Sequence, residues 1–486
     1  MVAWFGGRRV HSSWHIAAAS VGIVAGIVLS NIAPLGQYAS VAWLLTGIVL
    51  IVTSIWKSRA MYICFAVTGG LVVGLWRGYG ALQEVSIYET FRGKTVTLHG
   101  VVKEDVELNA RGQTVVRLAV SRINQSTATG TVWLTSKTDK SIARSDYVVA
   151  QAKLSPGFGS FNASAYSAQI VAVRPPSPPD IALIIRNWFA GGVQNVISEP
   201  QASLGLGYLV GQRRGLPAEL DSALVAAGLT HVVVASGYNL TILVRLARRL
   251  FEKISKYLAF ISAASMIVGF IAITGMSPSM SRAGLVAGLS LVAWYYGRRF
   301  HPLMLLPFAM AITLLIQPSY AWGDIGWQLS FAAFAGVMIL APLSQAYFFG
   351  DKTERPLQRI LIETLSATAC TLPILLLVFG QFSIVAPIAN LLILPFVPLA
   401  MLLTFIAGIG GLVFEGPIGQ IIALPAELLL TYMTMTITYI GNLSWAIQSV
   451  QITLLIAGCM FVAIAAACTY MWYRTKLSLA GTSLVE

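Results

Sequence analysis

Charge is what this chain is short of. Only 10% of its 486 residues are Asp, Glu, Lys or Arg, against 56% hydrophobic, whereas soluble domains carry about 25% charged residues. Such a chain cannot clothe a water-facing surface, and it reads as a polytopic membrane protein. Cysteine is equally scarce. Cys64, Cys370, Cys459 and Cys468 lie inside apolar runs with no Cys-x-x-Cys spacing. That excludes a disulfide framework or a thiolate zinc site and leaves them as small buried hydrophobes. Five scattered histidines argue against a multi-His metal centre. No phosphate-cradling Gly-x4-Gly-Lys-Ser/Thr loop occurs, so the chain carries no ATPase of its own, and no cofactor is implied.

What is present begins with three apolar runs, near 14–33, 40–56 and 60–79, each approaching the roughly 20 residues needed to cross a bilayer. Residues 1–80 thus predict three transmembrane helices. The first run is long and lacks a small-residue cleavage site, so it reads as a retained helix rather than a signal peptide. Arg8 and Arg9 precede it, and Lys57 and Arg59 separate the second from the third. The positive-inside rule puts the N-terminus in the cytoplasm and the residues after Tyr79 outside.

Between 91 and 175 the pattern becomes that of soluble β structure. Thr95–Val102, Thr114–Val120, Thr131–Leu134, Asp146–Lys153 and a last stretch over 165–173 alternate or run apolar between turn-rich pieces, which predicts a small all-β, OB-like exterior domain. Residues 92–174 hold eleven basic and five acidic side chains. Cytoplasmic bias does not explain that excess outside the membrane, so either an anionic ligand or a solvated basic surface accounts for it. Arg117 and Lys153 are candidate phosphate contacts here. Trp133, Tyr147, Phe158, Phe161 and Tyr166 are either stacking surfaces or barrel core.

Pro175-Pro-Ser-Pro-Pro179 forms a stiff linker. Residues 181–228 mix apolar and polar positions, predicting amphipathic or re-entrant helices, with Arg213 and Arg214 as further candidate phosphate contacts. Residues 229–474 fit about nine more spans, and 475–486 a short cytoplasmic tail. Basic clusters at 245–256, 298–299, 352–359 and 474–476 all fall inside under one topology. It has about 12 spans in the bacterial cytoplasmic membrane and both termini cytoplasmic.

Four polar constellations interrupt the later spans, and polar groups at bilayer depth usually face a protein interior or a wet cavity. His231, Ser236, Gly237 and Asn239 form the first; close helix packing through Ser236 and Gly237 explains them as well as a path lining does. In Gly275-Met-Ser-Pro-Ser-Met-Ser-Arg-Ala283, Ser279 and Arg282 open an apolar run, as a phosphate site at a helix N-terminus or as a snorkelling cap. Asp324, Gln328 and Ser330 open another, with Asp324 either an N-cap or a partner for Arg282. Pro387, Asn390, Pro395 and Pro398 break a fourth, as a cavity-lining discontinuous helix or a kinked packing helix. His231 with Ser236 also raises an intramembrane hydrolase, but no third orienting partner is visible. A transporter of a small solute or lipid-linked polymer remains an alternative.

Taken in order, Gly228-Leu-Thr-His231, Ala235-Ser-Gly237, Pro278-Ser279 with Arg282-Ala283, Asp324-Ile-Gly-Trp-Gln-Leu-Ser-Phe331, and Ser383, Asn390 and Pro395 resemble the ComEC-type competence channel of bacteria. The exterior OB-like domain, including Gly159-Ser-Phe-Asn162 and Tyr166, is similar to that family's layout. Tyr238 and Asn239 stand where the family commonly has a second His. The His-x-His-x-Asp-His cluster of the family's metallo-β-lactamase-like C-terminal domain is absent from this sequence. The resemblance implies passage of single-stranded DNA, with no catalytic residue in this chain. It also implies separate partners: an exterior DNA receptor, a nuclease for the other strand, and a cytoplasmic ATPase motor.

Overall fold

The computed structural model describes residues 10–32, 36, 39–109, 111–212, 215–233, 236–275, 277–297, 301–350, 356–414 and 416–477. They form two compact units. One holds residues 1–180, 276–278 and 303–328; the other holds 181–275, 279–302 and 329–486.

The first unit opens with helices α1 (Ser12–Ser30), α2 (Val41–Lys57) and α3 (Ile63–Thr90). α1 and α3 meet backbone to backbone. A Cβ at Gly70 or Gly74 of α3 would run into the carbonyls of Ala19 and Ile23, and one at Gly22 or Gly26 of α1 into those of Val67 and Leu71. Glycines four apart on both helices therefore make a contact in which only hydrogen fits. His15, fully buried on α1, shares a 2.6 Å hydrogen bond through Nδ1 with Ser54 of α2, while its Nε2 is buried without a partner among the described residues. The helix predicted to end near Tyr79 continues to Thr90 and feeds the β domain, where the Tyr88 hydroxyl donates to the Thr129 carbonyl at 3.2 Å.

That domain is a curled sheet of β1 (Thr95–Val102), β2 (Glu107–Leu108), β3 (Thr114–Ile123), β4 (Ser126–Ser136), β5 (Tyr147–Lys153), β6 (Ser155–Pro156), β7 (Ala163–Ala165) and β8 (Gln169–Arg174). β1 pairs antiparallel with β3 and β5, and β3 with β4. β7 then runs parallel to β4 while β8 runs antiparallel to β5. The last predicted strand, over 165–173, corresponds to β8, and its first residue Ala165 ends β7 at the other end of the sheet. Alternate residues fill the interior, among them Leu98, Val116, Leu118, Leu134 and Val148, all fully buried; the period-two pattern in the sequence is this core. Helix Pro302–Ile316 belongs to the same unit. Arg77 of α3 donates from Nε to the Leu315 carbonyl (2.9 Å) and from Nη2 to that of Ile316 (3.1 Å), capping carbonyls the helix end leaves open.

The second unit is helical around one large core. Helices Gln201–Val210 and Ala218–Ala226 are sunk into it, with Leu204, Tyr208 and Leu224 almost wholly buried. Helix Ile181–Gln194 buries Phe189, Ala190 and Val193 and turns Ile184, Ile185 and Trp188 outward. Helices Val397–Val413 and Pro417–Gly441 complete that core with Val397, Ala407, Leu430 and Ile437.

Among the described residues eight helices are long and apolar enough to cross a membrane, making this a multi-span membrane protein. The larger expected number, about 12, counted four segments that differ physically from plain spans. Val41–Lys57 and Leu303–Ile316 are apolar but shorter. Helix Gly237–Glu252 carries Arg245, Arg248 and Arg249, and helix Pro278–Tyr295 opens on Ser279, Ser281 and Arg282.

Candidate functional site

Three of the four polar constellations meet in the second unit. The first is a break between two helices. After Gly228 (φ 71°), short helix Thr230–Val233 buries Val232 and Val233 while leaving His231 exposed. Ser236, in extended conformation, then caps helix Gly237–Glu252: the Asn239 amide donates to its hydroxyl at 3.4 Å. Asn239 is fully buried and its Nδ2 donates to the carbonyls of Tyr208 (3.0 Å) and Val232 (3.2 Å). One side chain thus ties off carbonyls that two helix ends leave unmatched, which is how irregular backbone is kept at depth.

Close approaches join this break to the other motifs. A Cβ at Gly228 would lie 2.6 Å from the Ala386 Cβ and 3.4 Å from that of Ser383, and one at Gly237 would lie 3.1 Å from the Ala283 Cβ. The Tyr238 hydroxyl donates to the Leu394 carbonyl at 3.5 Å. Leu394 begins a 3₁₀ turn between helices Ala386–Ile393 and Val397–Val413; the prolines break the chain where expected. Asn390, on the first of these helices, is buried with its Oδ1 unmatched.

Arg282 is adjacent in sequence to Ala283, the residue that Gly237 approaches. It is 8% exposed, its Nη2 donates to Ser279 Oγ at 3.4 Å, and its guanidinium lies 5.5 Å from the centre of the Phe331 ring. Its Nη1 is buried and makes no hydrogen bond. A buried cation with an unspent donor costs stability unless an anion takes it up.

The third motif begins in the first unit. Asp324 Oδ1 accepts from the Trp327 amide at 2.6 Å, the N-cap geometry, and Oδ2 accepts from the Ser160 hydroxyl at 3.4 Å. Gln328 Nε2 reaches back to the Ala321 carbonyl at 3.0 Å. Burial pushes the Asp324 carboxyl up from its usual range, while the Trp327 amide, the Ser160 hydroxyl, and the charges of Lys103 and Arg117 pull it down. The loop before β7 touches this turn through main chain: a Cβ at Gly323 would collide with the Gly159 carbonyl. Ser330, half-buried, and Phe331 follow on helix Ile325–Ala335. Replacing Asp324 with Ala should cost about 1 kcal/mol through the lost cap, seen as a lower midpoint on thermal unfolding of the purified protein, with Asp324→Asn retaining most of it.

On the β domain the aromatic side chains are not core. Trp133, Phe158 and Phe161 pack on one another with centroids 5.2–5.5 Å apart, and Phe158 is 44% exposed. Arg117 stacks under Trp133 at 5.6 Å and holds Glu104 (2.5 Å) and Glu107 (3.3 Å). Its charge is therefore largely answered within the protein. Lys153 is exposed at the end of β5 and Tyr166 is 57% exposed, while the Tyr147 hydroxyl shares a 3.3 Å hydrogen bond with His99. Arg213 and Arg214 lie outside the described residues. Sequence reasoning passed over Arg77 and the polar face of helix Gly237–Glu252. A charge inside an apolar run was the signal for the first, and helical spacing of polar residues for the second.

Comparison with known proteins converges on the same stretch. The family model described as Competence protein matches residues 208–476. ComE operon protein 3 of Bacillus subtilis (strain 168) is 29% identical over 245 residues, 48% of this chain and 29% of that protein. An uncharacterized protein of Aquifex aeolicus (strain VF5) is 28% identical over 204 residues, 41% of this chain and 45% of that one. The matched stretches thus cover less than half the length of either relative. No solved structure matches. The matched residues include the helix break at His231–Asn239, the buried Arg282 and the proline-broken segment at Asn390, and the chain belongs to the competence-protein family.

Proposed function

We propose that this protein is a channel for single-stranded DNA across the bacterial cytoplasmic membrane. Its β domain, of OB type, then receives the strand outside, and the second unit carries the path. The observation that bears most weight is the convergence of interrupted helices beside a buried guanidinium with a spare donor. Discontinuous helices are tolerated in membranes where they line cavities, and a phosphate oxygen is the partner a guanidinium N–H takes best. His231, Ser236, Gly237, Asn239, Ser279, Arg282, Asp324, Gln328, Ser330 and Asn390 are its proposed lining or support. Ser236 serves as a helix cap, which favours this reading over a hydrolase.

The trio Trp133, Phe158 and Phe161, in which Phe158 is exposed and the other two are half-buried, suits unpaired bases, because every base offers a face for stacking. Arg117 and Lys153, with Arg213 and Arg214, are the proposed phosphate contacts. An exterior DNA receptor, a nuclease and a cytoplasmic ATPase are the partners such a channel requires.

Purified full-length protein in nanodiscs tests the receiving step by its binding of a labelled oligothymidylate. Trp133→Ala with Phe158→Ala should weaken binding by about 1–3 kcal/mol per base unstacked without changing the salt dependence. Lys153→Gln should instead reduce the slope of log K against log salt by about 0.7, the single-strand counterion increment. No strand binding at low salt would overturn the proposal.

A further inference from the structure

Residues 157–162, between β6 and β7, form a loop whose ends are tied to the β domain. A Cβ at Gly157 would strike the Phe161 carbonyl, so the loop closes on itself main chain to main chain. Inside it the Phe161 amide donates to the Phe158 carbonyl at 3.0 Å. Asn162 is fastened to β4 twice: its amide donates to the Thr131 carbonyl at 2.9 Å, and its Oδ1 accepts from the Thr131 amide at 2.9 Å. The loop's two aromatic side chains, Phe158 and Phe161, both pack on Trp133. The flanking strands offer little grip of their own, since β6 has two residues and β7 three.

The middle of the loop is held from a distant part of the chain, within the same first unit. Gly159 (φ 59°) lies against Gly323, in the turn before helix Ile325–Ala335, and a Cβ on either residue would run into the other's carbonyl. Next to it Ser160 donates to Asp324 Oδ2 at 3.4 Å, and Asp324 is itself fixed by the Trp327 amide at 2.6 Å. Lys103 and Arg117 are within electrostatic reach of Asp324, and Glu104 of Tyr320. The turn thus borders the side of the β domain on which Arg117 stacks against Trp133. Phe158 is 44% exposed, and a glycine at positive φ beside it gives an untethered loop wide conformational choice. Binding would then have to order both rings. A loop already clamped at its ends and its middle spares that entropy and offers the rings in place.

We propose that Gly323 and Asp324 are positioning residues for strand recognition: their turn holds the 157–162 loop so that Phe158 and Phe161 stand ready to stack on bases. They act through the loop and need no contact with the strand themselves. The inference rests on the channel reading, in particular on the stacking role of the aromatic trio.

A double-mutant cycle on full-length protein in nanodiscs, read by binding of a labelled oligothymidylate, tests this. Gly323→Ala sets a methyl where the Gly159 carbonyl stands. It should speed hydrogen exchange at the amides of 158–162 and weaken binding about ten-fold, the cost of ordering two side chains on association. The slope of log K against log salt should not change, because no phosphate contact is lost. With Phe158→Ala and Phe161→Ala already present, the same Gly323→Ala should change affinity by less than about two-fold, since nothing is left to position. An equal loss in both backgrounds is what a merely structural glycine gives, and it would overturn the proposal. So would faster exchange in the loop with affinity unchanged. Should Gly323→Ala fail to fold, Asp324→Ala enters the same cycle: it should weaken binding about three-fold, while Asp324→Asn, which keeps the cap, restores it. The wild-type chain separates the two levels. If it binds the oligonucleotide but the cycle is additive, the positioning role alone fails. If it binds none at low salt, the channel reading fails and takes this inference with it.

Discussion

Arg282→Met should abolish arrival of labelled DNA in the cytoplasm, leave DNA held at the cell surface unchanged, and leave the protein as stable as before or more so. The opposite signs come from one fact. The guanidinium is 8% exposed and its Nη1 has no hydrogen bond, so the resting fold bears a desolvation cost that an apolar side chain of similar length would remove. An unmatched buried donor costs about 1–3 kcal/mol, and apolar replacement of a buried charge is often neutral or stabilising. A residue retained only for packing would behave differently: Met would be tolerated in both assays. In transport, the lost charge-assisted contact is worth about 1.5–3 kcal/mol, or about ten- to a hundred-fold in occupancy of a phosphate at that point. Arg282→Lys should fall between, because an ammonium keeps the charge but not the planar stack on Phe331 or the fork geometry. Tracking label separately outside and inside the cytoplasm, together with thermal unfolding of the purified variants, reads both halves. Normal cytoplasmic label in Arg282→Met would remove Arg282 from the path.

How far the sequence reveals this architecture depends on the range of each signal. Strand alternation is local, so the predicted stretch Thr95–Val102 reappears as β1, and Asp146–Lys153 differs from β5 by one residue. The final strand was legible as β8, but the short β7 before it was not, since three residues pairing parallel with β4 carry no local signal of their partner. Proline marked the helix break near Pro395 because its backbone restriction acts within a few residues. What the helix breaks approach was not legible. That Gly228 abuts Ala386 and Gly237 abuts Ala283 is a matter of tertiary packing across long separations. Composition also read Arg245 and Arg282 as loop or end charges, while the structure buries each partly or wholly within its helix. The aromatic residues of the β domain were ambiguous for the same reason. Trp133 falls on a strand face that only the closed sheet identifies as outward.

The N-terminal helices should be the least tolerant part of the molecule, and Gly70→Val with Gly74→Val should separate α1 from α3. Signals for this contact were in the sequence, at Gly22 and Gly26 and again at Gly70, Gly74 and Gly78, but only pairing shows that the two series meet. In lipid no hydrophobic effect draws helices together, so the attraction is close packing of backbone on backbone, and small residues are its precondition. At Gly70 and Gly74 the obstructing atoms are the carbonyls of Ala19 and Ile23, which cannot swing aside as a flexible side chain would. The helices must move apart, and the reciprocal contacts at Gly22 and Gly26 open with them. Overpacking costs about 1–3 kcal/mol per site, so the pair should lose about 2–6 kcal/mol. Arg77 gives the loss a wider reach, since it projects from the same α3 to the carbonyls of Leu315 and Ile316. Cysteines introduced at the exposed positions Val21 of α1 and Phe65 of α3, in a background without the native four, offer a direct readout of helix separation by spin-label distance. Gly80→Ala, at a position with open space around its would-be Cβ, is the matched control and should leave that distance and the unfolding midpoint unchanged. An unaltered distance in the double valine variant would mean that α1 and α3 are held by something other than this glycine seam.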